Sequence, residues 1–321
     1  MGSSFTAWPS DQHGSRPSIA YASEAVQLAR SYDVLLAGAS AGSPYDYRLL
    51  FSNEGLLARQ RSRHRFQLLR TVDPTLGLML DAGERVQFLT RGSLLTVPEH
   101  FFCEWAAYYL HLCALVFTTK RLLLIQIDLQ GRPRQSVAQL PYGAIAAVRS
   151  TWDGYCQVRL ATGARYNLAY IPRLERKPLR EMLATVLATV PAESAPGATA
   201  IEPLCPRCFR AVPGEPPVCP YCHIAFKSWR GAALRSAVIP GLGHRYLGHR
   251  GFGTFSLWGA AALWTGLVIV PLFRQLVMHA APAGRLYWIA AGFVLAAAHV
   301  LSAALTRCFA RKGHYLETGA D

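Results

Sequence analysis

Hydrophobic and polar positions divide the chain into stretches with different periods. Residues 21–78 carry mostly helical patterns, whereas residues 83–170 contain short β-rich runs separated by turn sequences. The runs are RVQFLT (85–90), CALVFTT (113–119), RLLLIQID (121–128), YCQVRL (155–160) and ARYNLAY (164–170). Strands at this spacing predict a small antiparallel β-barrel or sandwich. From Pro178 onward, an apolar stripe at helical spacing predicts one helix that closes the domain.

Two long apolar runs follow near the end of the sequence. Residues 251–273 contain no charged side chain over 23 positions, and residues 286–306 supply a second run of 21. Each run is long enough to cross the hydrocarbon core of a bilayer, which is about 30 Å thick. The connection includes Pro282 and Gly284, which favour a tight turn. The pattern predicts a transmembrane helical hairpin over 251–312, with two buried helices of a soluble domain as the alternative.

The distribution of charge favours the membrane. The net charge is +14, and no Asp or Glu occurs between Glu215 and Glu317, where ten Lys and Arg side chains lie. These basic residues flank the apolar runs. A basic excess is typical of proteins that bind nucleic acid or an anionic membrane surface. Cytoplasmic flanks of membrane helices are rich in Lys and Arg, so both ends of the hairpin are predicted to be cytoplasmic. We therefore predict a multi-pass protein of the cell (inner) membrane.

Four of the eight cysteines form a metal-binding pattern. Cys205, Cys208, Cys219 and Cys222 follow the spacing C-x2-C-x10-C-x2-C, which places two thiolates on each of two turns. Four thiolates complete a tetrahedral shell and leave no open position for substrate, so they predict one structural Zn²⁺. A pair of disulfides is the alternative, which a reducing cytoplasm disfavours. His223, directly after the second pair, is an alternative ligand.

The β-rich region resembles a known family. It carries a Gly-Glu-Arg-Val opening (83–86), a VFTTKRLLL strand pair (116–124) and LPYGAIAAV (140–148) before the closing helix. These features resemble the bacterial pleckstrin-homology-like (PH-like, GRAM-like) domains over residues 80–190. The insertion TVPEHFFCEWAAYYLHL (96–112) is longer and more aromatic than that pattern. The four-cysteine segment is similar to zinc ribbons of bacterial membrane proteins, although Phe209 and His223 replace the glycine that often follows each pair.

The segment ahead of the first apolar run carries a second resemblance. Residues 240–248, PGLGHRYLG, resemble the Pro-Gly-Leu-Gly-x-x-Tyr-x-Gly signature of small bacterial two-helix membrane domains, over about 228–273. The resemblance implies architecture rather than activity. The helix over 231–239 contains a charge and is expected to lie at the interface or to re-enter the membrane. Six side chains are predicted at the membrane surface: Arg235, His244, Arg245, Tyr246, His249 and Arg250. His299, inside the second run, is either a functional group or a neutral imidazole bonded to a neighbouring helix.

Together these patterns predict an α+β multidomain protein. The predicted order is a disordered tail (1–20), a helical region (21–78), a PH-like domain (79–190), a linker (191–203), a zinc ribbon (204–227), an interfacial segment (228–250), two transmembrane helices (251–312) and a tail (313–321).

The predicted function is that of a membrane-anchored, non-enzymatic adaptor or sensor. Its PH-like module would bind membrane lipid or a protein partner. No HExxH, GxSxG, Walker A or GxGxxG motif is present, so no enzymatic activity is predicted. The alternative is a membrane-associated zinc-ribbon protein that binds nucleic acid. The cysteine segment has few basic and aromatic side chains to support that alternative, namely Arg207, Arg210 and Tyr221.

Overall fold

A computed structural model describes residues 44–51, 58–151, 154–189, 201–279, 281 and 284–317. The predicted tail 1–20, the first half of the predicted N-terminal helical region and most of the linker 191–203 lie outside these residues.

The described chain folds as a mixed α+β protein. Its strands are β1 (Val86–Thr96), β2 (Cys113–Thr118), β3 (Arg121–Ile127), β4 (Pro133–Pro141), β5 (Ile145–Ser150), β6 (Cys156–Leu160), β7 (Arg165–Ala169) and β8 (Glu202–Leu204). Its helices are α1 (Tyr47–Leu50), α2 (Ala58–Met79), α3 (Val97–Phe102), α4 (Glu104–Leu110), α5 (Arg173–Thr189), α6 (Trp229–Val238), α7 (Leu242–Tyr246), α8 (Arg250–Trp264), α9 (Val270–Leu276) and α10 (Arg285–Ala310).

The strands form one open antiparallel sheet of eight strands in the order β5-β6-β7-β1-β2-β3-β4-β8. The antiparallel sheet was predicted, and it is confirmed, although it is open rather than a closed barrel. Strand β1 is long enough to serve both halves of the sheet. Its first part, Val86–Gly92, pairs with β2, and its last part, Ser93–Thr96, pairs with β7. The two halves therefore share one strand and enclose a core between them.

Both faces of the β1–β4 half are covered. One face packs on α1 and α2 through Leu50, Leu69 and Val72, and the other faces β5–β7 and the buried Leu179 and Leu183 of α5. A strand that is buried on both faces has a nearly continuous run of apolar residues. This explains why apolar residues dominate the sequences of β2 and β3. The predicted closing helix is α5.

Helix α2 is tied to the closing helix α5 by a buried ion pair. Arg65 of α2 lies 2.8 Å from the Glu175 carboxylate of α5, and the Thr90 hydroxyl of β1 donates a hydrogen bond to the same carboxylate. Buried charges are tolerated when they are paired and hydrogen-bonded in this way. The described part of the predicted helical region thus packs on the sheet.

Two helices near the end of the chain are long and apolar enough to cross a membrane, by length and composition. The first runs over Arg250–Leu276, through α8, a π-helical turn at Thr265–Ile269 and α9. The second is α10.

Two segments that contact the four-cysteine segment are built into the sheet domain. The last residues of the predicted linker form β8, which pairs with β4 at Val137 and Gln139. Of the predicted tail 313–321, residues 313–317 lie against β4 and the cysteine segment, and the Leu316 amide donates to Gln135 Oε1 at 3.2 Å.

Candidate metal centre and the helices beside it

The four predicted cysteines converge. Their sulfurs all lie within 4.8 Å of one another, with Cys205 Sγ 3.6 Å from Cys222 Sγ and Cys208 Sγ 3.7 Å from Cys219 Sγ. A tetrahedral Zn²⁺ with Zn–S bonds of about 2.3 Å separates its sulfurs by about 3.8 Å. The cluster therefore fits a zinc ion, and Zn²⁺ bound there would crosslink the two turns.

The two cysteine turns have the same backbone bonding, fourteen residues apart. Phe209 N–H donates to the Cys205 carbonyl, and His223 N–H donates to the Cys219 carbonyl, at 2.9 and 3.0 Å. Phe209 and His223 adopt φ values of 55° and 57°. This left-handed conformation favours glycine, which explains why glycine often occupies these positions. Both turns close without glycine here.

The thiols have opposed electrostatic environments. Burial raises the pKa of Cys205 to about 12. Burial also acts against ionisation of Cys219, but hydrogen bonds from the backbone N–H groups of Cys222 and Tyr221 outweigh it and lower the pKa to about 7. Four sulfurs this close cannot all ionise without a cation, because their charges repel. The arrangement matches the chemistry of a closed structural zinc site rather than a catalytic one.

The C-terminal segment 313–317 packs on this candidate centre. The His314 ring stacks on Phe226 with centroids 4.4 Å apart, and His314 Nε2 lies 3.2 Å from the Val212 carbonyl oxygen. Lys227 N–H donates to the Tyr315 carbonyl at 2.8 Å. The cysteine segment precedes the two long apolar helices in sequence, yet it contacts residues that follow them. This long-range contact was not predicted.

The six residues predicted at the membrane surface separate into two groups. Arg235, Arg245 and Arg250 are exposed, and Tyr246 is half-buried with the Arg235 guanidinium 3.7 Å from its ring centroid. The other two, the imidazoles, are buried.

The structure replaces the predicted headgroup contacts of the two histidines with internal ones. The His244 ring packs edge-on against Phe252, and its Nε2 lies 3.2 Å from Thr306 Oγ1. His249 Nδ1 lies 2.9 Å from an Arg134 guanidinium nitrogen of β4. Burial, reinforced by Arg134, holds the pKa of His249 well below its usual value. Burying a neutral imidazole costs less free energy than burying a charged guanidinium, which agrees with the exposure of the three arginines.

Helices α6 and α7 form a compact unit against the start of α8 and the last turns of α10. α6 runs antiparallel to the end of α10. Trp229 lies beside Arg311 with 5.3 Å between guanidinium and ring, whereas Ser236 Oγ lies 2.7 Å from Thr306 Oγ1, further back along α10. Gly241, at φ 95°, then reverses the chain, and its N–H donates to Ser302 Oγ. The Pro-Gly-Leu-Gly sequence thus forms the turn after α6 and the first residues of α7.

His299 is fully bonded within this unit. Its Nε2 accepts a hydrogen bond from Trp264 Nε1 at 3.3 Å, and its Nδ1 lies 2.7 Å from the Ala237 carbonyl oxygen. Because a carbonyl only accepts and an indole N–H only donates, the two contacts fit a ring that carries its proton on Nδ1. The contacts favour the structural alternative for this histidine, which joins both apolar helices to α6.

A mostly buried ion pair ties helix α3 of the sheet domain to the residues that directly follow α10. The Lys312 ammonium lies 2.7 Å from the Glu99 carboxylate, and both side chains are mostly buried. Burial acts to raise the pKa of Glu99, but Lys312 and the hydrogen bonds from Cys308 and the Thr96 amide outweigh it and lower the pKa below 4.5. The ion pair therefore stabilises the fold above pH 4.5, and this stabilisation is lost as pH falls through the lowered pKa.

We expect Glu99→Gln to reduce stability at neutral pH by about 1–3 kcal/mol, because it leaves a buried ammonium without its counter-charge. The difference from the wild type should shrink as the pH is lowered below 4.5. Thermal unfolding of both proteins in the same detergent between pH 7 and 3.5 measures it.

The matched control is Glu181→Gln, which removes an exposed i,i+4 partner of Lys177 at 3.9 Å. Its effect should stay below about 0.5 kcal/mol at every pH. Equal effects of the two substitutions would contradict the assignment of Glu99.

No family model matches this chain, and no curated protein matches it either. The geometry of the site therefore carries the functional argument alone.

Proposed function

We propose that this chain is an integral membrane protein that holds a PH-like binding module and a zinc ribbon against the cytoplasmic face of the membrane. Its role is that of a non-enzymatic adaptor or sensor. One observation carries the proposal: the apolar surface of the two long helices faces outward. None of the most apolar 18-residue window of the first helix is buried, and only 22% of that of α10 is.

This exposure supports the transmembrane interpretation of the apolar helices. A core helix of a soluble protein buries most of its apolar window. Here Phe255, Trp258 and Phe293 are each at least 70% exposed, as part of a continuous apolar surface. Soluble monomers rarely expose apolar patches larger than a few hundred Å². Such a surface is compatible with the hydrocarbon interior of a lipid bilayer.

Helix α6 also exposes apolar side chains. Leu234 and Val238 are exposed on the side of α6 that faces away from α10, and they continue the apolar surface. Since the chain turns back at Gly241, we propose that α6 and α7 re-enter the cytoplasmic half of the bilayer rather than cross it. The sheet domain and the cysteine segment contact the same end of the apolar helices, in agreement with cytoplasmic termini and reduced thiolates.

The sheet supports a PH-like module. In PH-like domains, two antiparallel half-sheets enclose a core that one C-terminal helix covers, which matches the shared strand β1 and the helix α5. Among the described residues, β5 has a strand neighbour on one side only. A sheet edge of this kind can accept a partner's strand by backbone hydrogen bonds. We propose that the adaptor function uses this edge.

Carbonate extraction of native membranes tests the proposal. We expect the protein to stay in the pellet at high pH, because its apolar helices lie in hydrocarbon. Phe293→Lys should reduce insertion, since a central Lys costs about 2.5–3.5 kcal/mol in a membrane helix.

In the pelleted membranes, a photoreactive amino acid at Arg149 of β5 should crosslink a protein partner.

The control for insertion is Leu129→Lys, at an exposed position in the turn between β3 and β4. It should leave the pelleted fraction unchanged. Release of the wild type by carbonate, or indifference to Phe293→Lys, would contradict membrane insertion. Absence of any crosslink at β5 in inserted protein would contradict the adaptor role of that edge.

A further inference from the structure

The insertion between β1 and β2 exposes a cluster of large aromatic side chains. Phe101, Trp105, Tyr108 and Tyr109, on α3 and α4, are between 40% and 67% exposed, and we call them the aromatic shelf. The two alanines and the leucine of α4 face inward instead. Ala106, Ala107 and Leu110 are fully buried against Leu305 and Phe309 of α10. The aromatic side chains of this insertion are therefore its exposed side chains, although aromatic residues usually lie in a core.

The shelf is continuous with the apolar surface of the long helices. The Trp105 ring lies 5.6 Å from the ring of Phe252, and the Tyr109 ring lies 6.4 Å from it. Phe252 belongs to the first turn of α8, two residues after Arg250. The shelf therefore lies at the level where α8 begins and α10 ends, next to the arginines that flank the two helices.

The shelf is held rigidly. The Thr96 and Glu99 side chains form a reciprocal capping box at the start of α3. The Tyr170 hydroxyl donates to the Glu104 carbonyl, and its ring meets Tyr108 at 5.1 Å. Lys312 fixes Glu99 to the end of α10. The aromatic rings are thus presented outward at a fixed height rather than left on a loose loop.

We propose that the aromatic shelf lies in the headgroup region of the cytoplasmic leaflet and docks the sheet domain onto the bilayer beside the two spans. Trp and Tyr favour this region because their rings are apolar and their N–H or O–H groups stay hydrated. Continuity with Phe252 favours a bilayer over a soluble partner, since a protein bound there would have to exclude lipid from the start of α8. The inference rests on the proposed membrane location.

Depth-dependent quenching tests the shelf. A genetically encoded fluorescent amino acid replaces Tyr109 in the full chain, which is reconstituted in phosphatidylcholine–phosphatidylglycerol vesicles that contain nitroxide lipids. Quenching at position 109 should be severalfold stronger from a nitroxide near the headgroup than from one near the bilayer centre. The same probe at Phe293 should show the opposite depth order. At Leu129, on a turn of the sheet, lipid nitroxides should quench little.

The outcomes distinguish the inference from the proposed function. If position 293 is quenched by lipid but 109 behaves like 129, the spans are inserted and the shelf inference is overturned. A probe at 109 that is shielded from aqueous iodide yet untouched by lipid nitroxides would indicate a protein or a second copy, and also overturns it. If 293 is not quenched, the proposed membrane location itself fails.

Discussion

Replacing Cys208 and Cys222 by serine is expected to abolish zinc binding and to unfold the segment from Leu204 to Lys227. The two substitutions remove one ligand from each turn. The interior of this segment contains few buried apolar side chains besides the cysteines, chiefly Val212, Ile224 and Phe226. Such a core is too small to fold without metal, whose binding supplies about 10–16 kcal/mol in comparable zinc peptides. Metal analysis of purified protein should fall from one zinc per chain to none.

The loss should extend beyond the cysteine segment. Residues 313–317 dock on it through His314 and Tyr315, so limited proteolysis should cut both segments in the variant and neither in the wild type. Cys103→Ser is the matched control, because this half-buried thiol lies outside the cluster. Unchanged zinc content in the double variant, or zinc loss in the control, would contradict the assignment of the four ligands.

Gly243→Ala is expected to lower the stability of the helical region by about 3 kcal/mol or more. A Cβ at this position would overlap the Ala232 carbonyl oxygen and lie 2.8 Å from Thr306 Cγ2. The obstacle is backbone that cannot rotate away, so α6 and α7 would have to separate. A large fall in the thermal midpoint of the detergent-solubilised protein measures the effect.

Gly259→Ala gives the comparison within the same helical region. Nothing lies within 4 Å of a Cβ at Gly259, so alanine should be neutral or slightly stabilising through its helix propensity. Similar midpoints for the two variants would show that the tight packing at Gly243 does not exist in the protein.

Local patterns predicted the elements that depend on local sequence. The four-cysteine cluster was predicted correctly because each cysteine pair closes its own turn and the two pairs are only ten residues apart. Strands β2 and β3 were found because burial on both faces requires continuous apolar runs. Strand β4 was missed because RQSVAQ is mainly polar, with Gln139 bonded to the carboxylate of Glu202 on β8. Only the tertiary partner makes that sequence a strand.

Contacts between distant segments could not be read from the sequence. His244 and His249 were placed at the surface because they alternate with arginines near an apolar run. Their burial depends on Thr306 and Arg134, which lie 62 and 115 residues away. Likewise, the aromatic insertion appeared only as a departure from the PH-like pattern, since its position beside α8 is set by tertiary packing.

The docking of residues 313–317 on the cysteine segment restricts the path of the chain. The cysteine segment precedes both apolar helices, and residues 313–317 follow them, yet the two touch through the Phe226–Leu316 bridge. They can meet only if the chain between them crosses a bilayer an even number of times. A misinserted chain with one crossing would strand the two halves of this contact in different compartments. If the two apolar helices span the membrane as proposed, this contact cannot form in a molecule with a single crossing, and residues 313–317 of such a molecule would stay open to proteolysis.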